Sequence, residues 1–312
     1  YASSPSISRR RIAALEAVFH QFCTSRHYAR PTRAVQPARR GSQHQCAALQ
    51  RAVGMQLWGS AGAAMAKTTI LGFGSLLSEQ SSRLTFPDLE NFRLVRVPNY
   101  RRLMQHPASI FFQRGMTQRP FRDTSPRRRE ADAIDARRRR RAGIADPQKK
   151  NWCSLSAEPC EGASFVACAF EVAFEGEQRA AYELREEEFH VVMAPYTTLD
   201  GSSVEGEGLL CAQWTDAGYR AKYGDAVYEE RYGRYGVQQI WGWPRDCGAT
   251  PCPVYLRHCV LAAEKAGSIA SDSFLDETWL VDRQTTVRQF LAAHPEVMST
   301  RPPPELEGRY SG

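Results

Sequence analysis

Two stretches of this 312-residue chain carry residue types and spacings that chemistry can use. The first is TTILGFGSLL, residues 68–77. There the β-branched and apolar run Thr68 to Leu71 leads into Gly72 and Gly74 flanking Phe73, then Ser75, Leu76 and Leu77. Two glycines this close let backbone approach a ligand without Cβ atoms in the way. Such a turn aims several N–H groups one way, which suits a carboxylate or a developing oxyanion. An ordinary glycine turn after a strand has the same composition. The second stretch is LREEEF, where Glu186, Glu187 and Glu188 end a short helical pattern. Three acids there oppose the helix dipole, and a local rule broken without local gain points to function. A solvated acidic helix end is the blander alternative.

Cysteine supplies less. Nine cysteines are scattered at 23, 46, 153, 160, 168, 211, 247, 252 and 259. The number is odd, no CxxC pair occurs, and a chain of this length does not need a disulfide framework, so a reducing compartment fits. Cys247, Cys252, His258 and Cys259 form one cluster, but their spacing matches no familiar zinc pattern. No metal is expected.

The net charge of +7 conceals its distribution. Residues 1–67 carry +9, residues 114–150 carry +8, and the remainder carries −10. The chain is therefore an acidic body with two basic attachments. The segment 114–150 includes five consecutive arginines from Arg137 and one aromatic residue, Phe121. It cannot bury enough apolar surface to offset its ordering entropy, so a disordered surface insertion is expected. An arm for RNA or an acidic partner is the alternative, but it lacks interleaved aromatics, so nucleic acid is not the expected partner. No apolar run approaches the ~20 residues of a membrane span.

The remaining elements must position the two stretches. Residues 1–66 are Arg-rich, Ser-rich and acid-poor, with an amphipathic pattern through Ile12, Leu15, Phe19 and Phe22. They read either as an organelle transit peptide or as translated leader ahead of Met65. The first reading implies a plastid or mitochondrion, the second a cytoplasmic protein. Ser78–Thr85 predicts a helical turn capped by Ser78. FRLVRVPNYRRLM predicts a half-buried strand with an edge, bulge or bend at Pro98, and SIFFQR a further strand. ASFVACAFEVAFEG predicts a strand, residues 177–187 a short helix, Phe189–Tyr196 a strand, TLDG a turn, and GLLCAQW another strand. From Asp216 the chain is helical and aromatic, with five tyrosines and two tryptophans among glycines, and reads as an ordered cover over the body. PVYLRHCVLAAEKAG, SDSFLDETWL and TTVRQFLAAHP predict helices, the last capped near Thr285 and stopped by Pro295. The tail beyond Met298 is expected to be disordered. The domain is thus expected over 67–298, interrupted by the basic insertion 114–150 and followed by the tail 299–312.

A strand leading into Phe73–Gly74–Ser75–Leu76–Leu77, followed about a hundred residues later by a strand, a short helix and LREEEF, resembles the gamma-glutamylcyclotransferase-like superfamily. The loop matches the family form [YF]-G-S-x-L. Glu188 follows Leu184 by four positions, as the family's catalytic glutamate follows its leucine. The resemblance covers residues 68–113 and about 151–215, and the helical C-terminal extension resembles that of longer plant and algal members. It implies an α+β fold: a small, partly closed mixed β-barrel with packed helices. It also implies release of 5-oxoproline from a small γ-glutamyl amine or peptide by attack of the substrate's own α-amine. Glu188 would be the general acid/base, and Phe73, Gly74, Ser75, Leu76 and Leu77 would form the substrate-binding loop. Neither cofactor nor metal is implied. Two departures matter. Leu76 stands where many active members carry Asn, which keeps open a catalytically silent small-molecule or partner-binding module on the same fold. Glu186 or Glu187 takes the catalytic place if the alignment slips.

Overall fold

The apolar run before the glycines forms β1 (Lys67–Gly72), with Ile70 and Leu71 buried. The computed structural model describes residues 67–113, 150–173, 176–308 and 310. The leader-like segment 1–66 and the expected insertion, apart from Lys150, lie outside the described residues. A 3₁₀ turn (Ser75–Leu77) and α1 (Glu79–Thr85) follow β1, and the Ser78 hydroxyl accepts from the Ser81 N–H as its cap.

Two long strands dominate the sheet. β2 (Glu90–Pro107) pairs antiparallel with β3 (Cys153–Ala173), with register shifts at Glu90/Arg93, Pro98/Tyr100 and Met104/His106. The Pro98 signal marks the second of these. β3 is buried on both faces, and its alternation divides two cores. Phe165, Ala167 and Ala169 enter the main core, while Cys168, Phe170 and Val172 join Ile70, Phe86, Leu89 and Tyr182 in a second one.

β4 (His190–Thr197) and β5 (Val204–Ala212) form an antiparallel pair joined through Gly201, whose φ of +76° a glycine accepts without strain. Pairings run in a circuit, β1–β3–β2–β4–β5–β1, but β2–β4 and β1–β5 meet at single residue pairs, Arg96↔Thr197 and Ile70↔Leu209. The result is a mixed α+β fold whose sheet is partly ring-like. The expected barrel is thus reached only in that coarser form.

Three local expectations are corrected. SIFFQ is a helix, α2 (Ser109–Gln113). Periodicity cannot separate a short buried strand from a short buried helix, and Phe111 and Phe112 are both buried. SDSFLDETWL is partly strand: α7 (Ser268–Asp276) gives way to β6 (Thr278–Leu280), which pairs parallel with Arg102–Met104 of β2. The tail beyond Met298 packs through Leu306 and Tyr310, the latter edge-on to His258 with ring centroids 5.3 Å apart. Its prolines fix φ and reduce the entropy that packing must overcome.

The other helices are α3 (Gly176–Arg185), α4 (Asp216–Tyr223), α5 (Asp225–Arg231), α6 (Pro253–Lys265) and α8 (Val287–Ala293). α8 begins with a capping box in which Thr286 and Gln289 exchange side-chain and backbone bonds. Arg102 ties this C-terminal third to the sheet. Its guanidinium lies 5.0 and 5.1 Å from the Phe165 and Phe274 ring centroids and donates to the Phe73 and Val166 carbonyl oxygens and to Ser273 Oγ. Ser273 Oγ also accepts the Val166 N–H.

Candidate functional site

The glycine turn is built from packing first. A Cβ on Gly72 would lie 2.6 Å from Leu76 Cβ and 2.8 Å from Cys168 Sγ, so this glycine lets the chain double back. The Phe73 ring tilts against Phe165 at 5.6 Å, and Leu76 and Leu77 are buried. Helix α6 covers the turn. A Cβ on Gly74 would stand 3.1 Å from Leu155 Cδ2 and 3.4 Å from the Tyr255 hydroxyl. The Ser75 N–H is directed at the Cys259 thiol. Phe73, Gly74, Leu76 and Leu77 therefore face protein, and one N–H expected for a ligand already has sulfur in front of it.

The glutamates form a different environment. Helix α3 stops at Arg185, and Glu186–Glu188 make a turn before β4. Glu186 pairs with Arg185 at 2.8 Å. Glu187 and Glu188 are each 5% exposed, so neither is a solvated helix end. On a regular helix successive side chains diverge by about 100°, and Glu187 would point away from Glu188. Beyond the helix end that spacing lapses, and both carboxylates reach Ser109. Glu188 Oε1 accepts the Ser109 backbone N–H at 2.8 Å, and Glu187 Oε1 accepts its hydroxyl at 3.3 Å. Arg231 Nε is 3.7 Å from Glu187 Oε1.

Burial pushes the Glu188 carboxyl above its ordinary value, because the charged form loses its hydration. The Ser109 N–H and hydroxyl partly oppose this, and Glu186 adds to the rise. The Glu187 and Glu188 carboxylates raise the phenols of Tyr219 and Tyr223, after the larger effect of burial. Tyr232 is raised by burial and then by the Glu188 charge.

Behind Glu188 stands an aromatic wall. The Trp241 indole N–H donates to the Glu188 carbonyl oxygen at 3.1 Å, and Asp216 anchors that loop by accepting the Ile240 and Trp241 N–H groups. His106 lies between Trp241 and Phe189, with centroids 4.4 and 5.0 Å away. It is fully buried, neither ring nitrogen has a partner among the described residues, and burial lowers its pKa to about 3. His106 is neutral.

Glu188 is thus an enclosed acid held by a backbone donor, and the Phe73–Leu77 turn is a packed turn against α6. Among the described residues, no hydrogen bond joins Glu188 to that turn. Ser109, Arg231, His106 and Trp241 were not singled out by the sequence as site residues. The Tyr/Trp-rich segment was legible as a cover, but nothing in its spacing told which member meets the glutamates. No group of three or more His, Cys, Asp or Glu among the described residues is placed to hold a metal ion.

No family model matches the sequence, and no curated protein matches it. Two solved structures are distantly similar to the chain. One, a gamma-glutamyl cyclotransferase, is 9% identical, with 60% of this chain and 94% of that chain covered and a TM-score of 0.29. Another, an uncharacterized protein from Homo sapiens, is 10% identical, with 57% and 89% covered and a TM-score of 0.29.

Proposed function

We propose that the chain is a gamma-glutamyl cyclotransferase-type enzyme that releases 5-oxoproline from a γ-glutamyl amine or peptide, with Glu188 as general acid/base. The observation that carries the proposal is the state of Glu188: enclosed, held by the Ser109 N–H, and raised in pKa by burial. The LREEEF and FGSLL motifs are its second support.

The reaction needs one group that takes a proton and later gives it back. Glu188 would accept it from the substrate's α-ammonium, freeing the amine lone pair to attack the γ-carbonyl carbon. The γ-carbonyl oxygen becomes the oxyanion, and backbone N–H groups would stabilise it. The new C–N bond closes the five-membered ring as the old one breaks. Glu188 gives its proton to the departing nitrogen and relays the second proton lost by the attacking nitrogen, so the lactam keeps one N–H and the amine leaves as an ammonium. A carboxyl raised towards neutrality serves both steps better than one at its solution value. Attacking and accepting atoms belong to one molecule, so positioning contributes much of the rate.

A second reading keeps the fold and drops the chemistry, leaving a module that binds a small molecule or a partner. Tyr255 and Cys259 against Gly74 and Ser75 favour it, as does Leu76. Incubating purified protein with a panel of γ-glutamyl amines, peptides and glutathione-like compounds separates the two. Release of 5-oxoproline from any of them supports the enzyme, and binding without release supports the silent module.

A further inference from the structure

Glu187 and Glu188 are chain neighbours, yet both carboxylates converge on one serine, Glu188 on its N–H and Glu187 on its hydroxyl. A cation, Arg231 at the end of α5, stands against Glu187. Further groups around the pair include Glu186 from the same turn, a like charge that adds to the Glu188 rise, Tyr219 and Tyr223 from α4, and Tyr232 just beyond α5. His106 lies behind Trp241 and Phe189 and is neutral. The two acids therefore have unequal surroundings: a guanidinium stands against Glu187, whereas Glu188 takes the Ser109 N–H, with the Ser109 hydroxyl acting on it as well. Titratable neighbours pushed apart by their environments take different roles in proton transfer.

We propose that Glu187 is a positioning residue. Clamped between Ser109 and Arg231, it fixes the serine whose N–H holds Glu188, and the Glu187–Arg231 charges together set the pH at which Glu188 takes up and releases its proton. This rests on Glu188 being the acid/base, but its core can be measured without turnover. A like charge a few ångströms away disfavours ionisation, and an opposite charge favours it. The pair presents one of each, so removing either member moves Glu188 in the opposite direction from removing the other.

The test is a carboxyl-carbon NMR titration of protein labelled at the glutamate side-chain carboxyl, with the Glu188 resonance assigned by its loss in Glu188→Gln. Glu187→Gln removes the like charge and leaves Arg231 unbalanced, so the Glu188 midpoint falls by about one pH unit or more. Arg231→Met moves it up by a similar amount. Glu187→Gln is nearly isosteric and carries the test alone if Arg231→Met does not fold. Looser packing would shift the midpoint the same way in both variants, so shifts of one sign, or none, overturn the proposal. Turnover is scored separately. Opposed shifts in a protein that releases no 5-oxoproline would leave the pair standing and remove the cyclotransferase assignment. Unshifted midpoints in an active enzyme would do the reverse.

Discussion

The Trp241 indole lies flat on the His106 imidazole, centroids 4.4 Å apart, while its N–H reaches the Glu188 carbonyl oxygen. One side chain thus links a buried neutral histidine to the backbone of Glu188, the residue proposed as the acid/base. The register shift between Met104 and His106 sits just ahead of this contact, and such bulges serve to re-aim a side chain.

That burial has a pH consequence. The His106 pKa is about 3 in the folded protein and about 6.5 in the unfolded chain. As pH falls below about 6.5 the unfolded chain binds the proton first, so stability declines by about 1.4 kcal/mol per pH unit until about pH 3. Glu188 has the opposite sign. Its folded pKa is raised, so its contribution fades as pH rises above 4.5. His106→Phe should remove the histidine part, giving a shallower stability loss between pH 6 and 4 in urea unfolding. An unchanged slope would mean that His106 is not a buried neutral base.

The two glycines of the turn should differ. Gly72→Ala drives a Cβ into Leu76 and Cys168 and should cost about 1–3 kcal/mol. At Gly74 the closest atom is the end of the Leu155 side chain at 3.1 Å, which can give way, so Gly74→Ala should cost less. Urea midpoints of the two variants measure this. Equal or reversed losses would show that the turn is not packed as described.

Arg102 should not tolerate a conservative change. Lysine keeps the charge but loses the planar fork that reaches Phe73, Val166 and Ser273. Arg102→Lys should cost about 2 kcal/mol or more, since hydrogen bonds to charged groups contribute about 1.5–3 kcal/mol each. A loss within about 0.5 kcal/mol, typical of surface changes, would mean that the C-terminal third does not depend on this residue.

Much of the architecture was legible because local signals agreed with the fold. Ser78 caps a helix, Pro98 sits at a bulge, Gly201 turns a hairpin, and a capping box starts the last helix. The capping threonine is Thr286, one residue beyond the position read from sequence. Where local signals were silent, distant contacts decided. Phe111 and Phe112 suit a short strand or a short helix equally, and Thr278–Leu280 became a strand because β2 offered an edge. The candidate site was legible only as two motifs, and among the described residues no hydrogen bond joins Glu188 to the Phe73–Leu77 turn. That Glu187 turns towards Ser109, and that α6 lies over Gly74, depends on segments far along the chain, which no local pattern encodes.

Turnover of Glu188→Gln beside the wild type tests the central claim most directly. With the γ-glutamyl compound that wild type handles best, 5-oxoproline release should fall by roughly 10² to 10⁴ with the fold intact, because the amide keeps the shape but cannot carry the proton. Glu187→Gln should lose far less. Wild-type rates in the Glu188→Gln protein, or equal losses at the two positions, would contradict the assignment of Glu188 as the general acid/base.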